Sequence, residues 1–335
     1  MDNHSTGALP NPVFNVKPLS LPQLALGLVL QISINNLGYL ADTIKTTRNW
    51  PDALLLRFKL RDCAKIEFRD GRIMQVDKNS YPVYAQMRFA LSHKIPVSFK
   101  DDNTMGFVFG GRPITLEGDN VLRNVFEVFF SEAYAPLDCR GKTVVDVGAN
   151  IGDTAIYFAL KGAKHVFAVE PFHNLFTDGK RNVESNGLAD QVTIINCAMS
   201  SEDGMTLVDR NIRADVYSRF EIAEKTGPPL AGQPSPELSS VPVLSLRSFV
   251  QKYRISDAAL KLDCEGEEYA IILNSDTETL RKFSDMIIEF HYGYVDLAKK
   301  LESAGFSVKM ICAPYFHSVY KNRPCLVGMF HAIRR

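Results

Sequence analysis

The chain has 335 residues, with 38 basic and 38 acidic side chains and no formal net charge. That balance leaves no electrostatic footprint for non-specific nucleic-acid binding, so no nucleic-acid partner is expected. An apolar fraction of 46% is ample for a packed core, and the length fits one large or two modest domains.

Residues 1–18 are rich in Pro, Asn and Ser and read as a flexible tail without a secretory signal. Residues 19–135 read as an α+β accessory region made of a helix and two hairpins. The helix is expected over about 20–47. Its apolar part, residues 19–40, is long enough to span a bilayer, but Gln23, Gln31, Asn35 and Asn36 interrupt it. Leu21, Leu24, Ala25, Leu28 and Ile32 form one helical stripe, which suits packing on a domain or partner. Peripheral membrane contact through 19–40 is the alternative, and no transmembrane segment is expected. Trp50-Pro51 breaks the helical pattern. Strand-like runs at 64–69 and 72–76 flank Asp70-Gly71, a hairpin signal. A helix follows over 81–91, then a second hairpin about Gly110-Gly111, then a helix over 122–135.

Residues 136–335 alternate in type. Strands are expected near 143–148, 164–169, 191–197, 259–263, 285–290, 306–312 and 325–333, and helices near 153–161, 173–186, 245–253, 267–273 and 294–304. Such alternation implies an α/β, Rossmann-like core: a mostly parallel seven-stranded sheet with helices on both faces. The last two strands can pair as a hairpin around a loop at 314–324. Residues 227–242, dense in Pro, Gly and Ser, read as a long surface loop and a candidate lid. Arg210, Arg213 and Arg219 just before it could grip an anionic substrate, although a solvated loop face is the simpler account. Six scattered cysteines (Cys63, Cys139, Cys197, Cys264, Cys312 and Cys325) form no C-x-x-C pair. That excludes a zinc ribbon or redox couple of the usual spacing and fits a reducing, cytoplasmic setting.

The chemistry concentrates at strand ends. Val144-Val145-Asp146-Val147 leads into Gly148-Ala149-Asn150-Ile151-Gly152-Asp153, and Glu170-Pro171 follows one βα unit later. This layout puts a nucleotide at the carboxyl edge of a sheet with a carboxylate for its ribose. A dinucleotide pyrophosphate needs a glycine where Asn150 stands, and Asp146 would repel phosphate. S-adenosylmethionine (SAM) fits instead. Its ammonium suits Asp146, its carboxylate the helix start near Asn150 and Thr154, and its ribose Glu170. Pro171, with Asn196 and Ala198 at the end of the third strand, would border the adenine. A second cluster is Lys261-Leu262-Asp263-Cys264-Glu265-Gly266-Glu267-Glu268. Glu267 and Glu268 suit the first turn of a helix, whereas Asp263 directly follows a buried strand and is better explained by function. His291, at the end of the next strand, lies on the same edge and suits a general base. Asp263, Glu265, Glu289 and His291 could surround magnesium, but no ligand spacing requires it and no metal is assigned.

Together with Asn182 and Asn186, these segments resemble the FkbM-type SAM-dependent methyltransferases over roughly residues 140–312. The Asp-x-Glu-Gly-x-Glu segment at 263–267 is the most distinctive mark. The resemblance implies a class I methyltransferase fold and methyl transfer to a hydroxyl of a sugar, glycan, glycolipid or other natural product. It places Asp146, Gly148, Asn150, Gly152 and Glu170 at the cofactor, and 263–267 near the reacting groups. The mechanism expected is in-line displacement, with His291 or Asp263 taking the hydroxyl proton and Glu265 beside them. Competing readings are a SAM-dependent N-methyltransferase acting on a protein or other amine, and a non-catalytic binding or assembly protein with a methyltransferase-like core. An NAD-dependent oxidoreductase is disfavoured by the missing middle glycine. A homo-oligomer is compatible with all of these.

Overall fold

A computed structural model describes residues 37–77, 80–99, 103–118, 121–209, 238–320 and 323–335. The expected tail, most of the first helix, the three loop arginines and most of the candidate lid lie outside these residues.

Helix α1 runs to residue 46, and α2 (Trp50–Arg57) follows almost at once. Trp50-Pro51 therefore starts a helix where the sequence suggested a break. Proline in the first turn donates no hydrogen bond that the helix would use, and its φ suits helical backbone. The first hairpin forms from β1 (Cys63–Glu67) and β2 (Ile73–Asp77), and α3 (Tyr81–Ser92) covers it. Ala53, Leu56, Ile66, Phe68, Val76 and Tyr84 make a small core of their own here.

The second hairpin is larger than its sequence signal. Strand β3 (Val97–Phe99) adds to β4 (Thr104–Phe109) and β5 (Arg112–Glu117), giving a three-stranded antiparallel sheet. The expected helix at 122–135 shortens to α4 (Val121–Val125), continues as a π-helical turn over Phe126–Phe130, and then becomes turns. Such π turns commonly re-aim side chains beside functional sites.

The remaining elements are β6 (Thr143–Val147), α5 (Asp153–Leu160), β7 (His165–Val169), α6 (His173–Ser185), β8 (Val192–Ile195), β9 (Ala198–Ser200), β10 (Gly204–Asp209), β11 (Leu238–Ser245), α7 (Leu246–Lys252), β12 (Ala258–Leu262), α8 (Glu268–Asn274), α9 (Thr277–Leu280), β13 (Phe283–Phe290), α10 (Val295–Ser303), β14 (Phe306–Tyr320) and β15 (Arg323–Arg334). Seven strands form one sheet in the order β14-β15-β13-β12-β6-β7-β8. Its five central and outer strands from β13 to β8 run parallel, and β15 is antiparallel to both neighbours. This is the class I methyltransferase strand order, with its switch point between β6 and β12, where ligands bind in open α/β sheets. Of the loop expected at 314–324, residues 314–320 and 323–324 instead extend the β14–β15 ribbon. Residues 238–242, expected as loop, start β11, which joins β9 and β10 in a separate small sheet.

Strand alternation sorts the core into two faces. Val145, Leu260 and Ile288 point to the face covered by α7, α8 and α10. Val144, Ala259 and Ile287 point to the other, where α5, the π turn and the β4–β5 hairpin pack. Period-two geometry then puts Asp146, Lys261 and Glu289 on this second face, one step nearer the carboxyl edge. Asp146 and Lys261 thus lie side by side beneath the accessory region, with Glu289 two residues beyond Ile287, the register partner of Lys261 on the other side.

Candidate active site

The turn after β6 is held by backbone bonds from Gly148 N–H and Ala149 N–H to the Val169 carbonyl, 3.0 and 3.1 Å. Gly148 has φ +80°, and a Cβ there would sit 1.8 Å from the carbonyl oxygen of Asp263. Only glycine allows the segment after β12 to close over the turn. Gly152 has φ +78°, and its Cβ would press 3.1 Å against Gly179 of α6. Asn150 is also left-handed, at φ +49°, a conformation that asparagine tolerates.

Glu170 is buried at the end of β7. Its two carboxylate oxygens each accept a backbone N–H at 2.9 Å, one from Asn150 and one from Phe172. Burial nevertheless pushes its carboxyl up to about 8, with the two N–H bonds and Lys261 opposing. Asn196 fixes the adjoining strand end by donating to the carbonyls of Glu170 and Pro171, at 2.9 and 3.0 Å. Ala198 and Glu267 both line a neighbouring cavity of about 200 Å³. Glu267 accepts the Ser200 hydroxyl at 2.8 Å there.

Asp146 is fully buried, and its surroundings differ from the sequence expectation. Thr154, expected at a ligand, donates to Asp146 Oδ2 at 2.5 Å. Lys261 Nζ lies 3.2 Å from Asp146 Oδ1 and donates to the Gly148 carbonyl at 2.8 Å. Register explains the pair, because Lys261 stands directly opposite Asp146 on the adjacent parallel strand. Burial opposes the lysine's charge, but Asp146 and then Asp263 outweigh it and raise its pKa. Sequence reasoning missed Lys261. The signal was a lysine inside the apolar run 258–262, since a buried lysine is almost always paired.

At the acceptor edge, Asp263 is partly exposed, and its Oδ2 accepts the Tyr134 hydroxyl at 3.0 Å. Glu265 and Glu268 flank His291. Nε2 lies 3.4 Å from Glu265 and Nδ1 lies 3.2 Å from the fully buried Glu268. Glu268, expected on a solvated helix start, instead also accepts the Cys264 N–H at 2.8 Å. Burial of His291 opposes its charge, but Glu268, Glu265 and Asp263 prevail and push the imidazole up to about 10. That shift favours the imidazolium form beside the two carboxylates. Ligand atoms of Asp263, Glu265 and His291 lie within 4.8 Å of one another, so the trio has the spacing of a cation site once the imidazole loses its proton.

The accessory region closes this edge. Tyr134 is buried, and the Lys261 ammonium lies 5.5 Å from its ring centre. The π turn contributes Glu127, whose carboxyl is raised by burial and then by Asp263. Glu289 is raised for the same two reasons. Asn182 on α6 and Asn186 at its C-cap hold the accessory sheet, and Asn182 also reaches the cofactor turn. Asn182 accepts from Glu117 N–H at 2.8 Å and donates to the carbonyls of Glu117 and Ile151, at 2.8 and 2.9 Å. Asn186 exchanges two bonds with Thr115, at 3.0 and 2.7 Å.

All six cysteines are free thiols, and no described helix is long and apolar enough to cross a membrane. Residues 146–308 match the methyltransferase FkbM domain. A stretch of 57 residues is 41% identical to a probable protein arginine N-methyltransferase 6 of Arabidopsis thaliana, covering 17% of this chain. The chain spans only 13% of the length of that curated relative. Among solved structures, a precorrin-6y C5,15-methyltransferase of Geobacter metallireducens aligns over 61% of this chain and 86% of its own, at 13% identity and a TM-score of 0.35. TrmK of M. capricolum, bound to S-adenosyl-homocysteine, aligns over 58% and 62%, at 14% identity and a TM-score of 0.35. The strand order itself carries the fold assignment. Residues 146–308 accordingly carry a match to the methyltransferase FkbM domain on a sheet of the class I methyltransferase strand order.

Proposed function

We propose that the protein is an O-methyltransferase acting on a hydroxyl of a sugar, glycan, glycolipid or other natural product, in the cytoplasm. The residues of the cofactor edge fit SAM. Gly148 and Gly152 leave a cradle that a Cβ would fill, and buried Asn150 Oδ1 and Asp153 Oδ1 have no hydrogen-bond partner. Glu170 is placed for the ribose hydroxyls, with Asn150, Pro171, Asn196 and Ala198 around the nucleoside. When bound, SAM supplies an electrophilic methyl group on a sulfonium.

The observation that carries the reading is Asp263. Its partly exposed carboxylate stands at the end of a central strand, over the Gly148 turn, with one oxygen fixed by Tyr134. A hydroxyl acceptor needs such a base as its oxygen attacks, whereas the two glutamates beside His291 raise its pKa and favour its protonated form. Glu265 and Glu268 keep His291 charged, and the imidazolium supports the carboxylates at this edge. Tyr134 and the π turn exclude water from the Lys261 side, which strengthens these interactions.

A screen with methyl-labelled SAM over hydroxylated and amine acceptors tests this. Label should enter a hydroxyl, and Asp263→Asn should cut turnover by about 10²–10⁴ while S-adenosylhomocysteine still binds. The acid-rich edge of Glu127, Asp263, Glu265 and Glu289 would also suit a cationic amine. Label entering only an amine would replace the hydroxyl reading with that one.

A further inference from the structure

Strands β12 and β13 end side by side, because Leu262 pairs with Ile288 in parallel register. Asp263 and His291 therefore leave neighbouring strand ends. The chain after Asp263 turns through Glu265 at φ +56°, a left-handed conformation uncommon for glutamate. Glu265 Oε2 stands 3.4 Å from His291 Nε2. One ligand atom from each of Asp263, Glu265 and His291 lies within 4.8 Å of the other two. Around a divalent ion with donors at about 2.1 Å, adjacent donors stand about 3 Å apart and opposite ones about 4.2 Å. Small side-chain adjustments would thus let the trio close on one ion.

A cluster of acids alone is often no more than solvated surface, and His291 sets this one apart. The residue is 5% exposed, and its Nδ1 has no hydrogen-bond partner. Fully buried Glu268 lies 3.2 Å from Nδ1, while Nε2 faces Glu265. A carboxylate behind one ring nitrogen, with the other turned to oxygen donors, is the arrangement that orients a metal-binding histidine. The edge also gathers negative charge. Glu127 and Glu289 join the three acids of the turn, and burial and then Asp263 push both carboxyls up. Lys261 offsets little of this, since it lies 3.2 Å from Asp146 but 3.9 Å from Asp263.

We infer that Asp263, Glu265 and His291 form a site for one divalent cation, and that two carboxylate oxygens with an imidazole nitrogen suit an ion of the manganese class. The ion takes the place of a proton on the imidazole, and carboxylates that favour the proton favour a doubly charged ion more strongly. Its part in transfer rests on the hydroxyl-acceptor reading. It would hold the acceptor oxygen beside Asp263 and lower the hydroxyl's pKa, so that the carboxylate takes the proton more readily.

Titration of manganese(II) into the chelator-treated full chain tests this, read by loss of the free ion's electron-spin-resonance signal. One ion should bind per chain, and pulsed spectra should show coupling to an imidazole nitrogen. Glu265→Gln should weaken binding at least about tenfold and keep S-adenosylhomocysteine affinity within about twofold, which shows that the variant is folded. Glu278→Gln, at an exposed acid on α9, should leave manganese binding unchanged. A bound ion without nitrogen coupling, or equal weakening by the two variants, would overturn the proposal. No saturable binding alongside undiminished hydroxyl methylation would overturn it and leave the O-methyltransferase reading standing. A nitrogen-coupled ion with label entering no hydroxyl would keep the site and overturn that reading.

Discussion

The two edges of the switch point are built by different means. At the cofactor edge, one continuous segment from Asp146 to Asp153 makes the turn, and glycines at 148 and 152 allow backbone to approach backbone. At the acceptor edge, the groups come from three places: Glu127 and Tyr134 before the core, Asp263 to Glu268 after β12, and Glu289 with His291 at the end of β13. The first edge is a local backbone device. The second is a charge network assembled by tertiary packing. Backbone devices are specified by residue type at fixed spacing, whereas networks depend on which strands lie side by side.

That contrast predicts different responses to substitution. Gly148→Ala should have the largest effect, because its Cβ would overlap the Asp263 carbonyl at 1.8 Å and damage both edges at once. We expect a loss above about 4 kcal/mol in denaturant unfolding, or failure to fold. A stable Gly148→Ala protein with normal melting would break the close-approach argument.

His291→Gln comes next. It leaves Glu265 and the fully buried Glu268 without their cation, at a cost of about 3–5 kcal/mol. Because the folded state raises the imidazole pKa to about 10, its stabilisation is fully present below the unfolded value of about 6.5 and fades as pH rises toward 10. The gap between wild type and variant in unfolding free energy should therefore shrink from pH 6 to pH 10. A gap that is constant or widens would contradict an imidazolium.

Asn182→Ala sharpens the comparison from the other side. It removes three hydrogen bonds that join Glu117 of the accessory sheet to Ile151 of the cofactor turn. A loss of about 1–3 kcal/mol is expected, with S-adenosylhomocysteine affinity falling in parallel. Unchanged affinity would show that the turn holds its shape without the clamp. Tyr134→Phe should be mildest, lowering Tm by about 2–4 °C. It should slow transfer while leaving S-adenosylhomocysteine binding within twofold, since only the Asp263 edge loses a bond.

The sequence was most legible where period and spacing decide the outcome. The β6 turn, the alternating elements and both accessory hairpins follow from local pattern. Three features were hidden. Strand β3 is three residues long and pairs only because the hairpin beside it offers an edge. The π turn has no composition of its own and is set by how Phe126 to Phe130 packs. The Lys261–Asp146 pair needs the register of two strands over a hundred residues apart, although a lysine within an apolar run was its visible trace. The surroundings of His291 were hidden for a related reason. Its placement on the edge was readable, but the buried Glu268 beside its Nδ1 looked like an ordinary helix-start acid.

The central claim is that cofactor binding belongs to the β6–β7 edge and methyl transfer to the β12–β13 edge. Calorimetric titration of S-adenosylhomocysteine into Glu170→Ala and Asp263→Asn tests this most directly. The account predicts that Glu170→Ala loses binding while Asp263→Asn retains wild-type affinity. Full affinity in Glu170→Ala, with binding lost in Asp263→Asn, would contradict it.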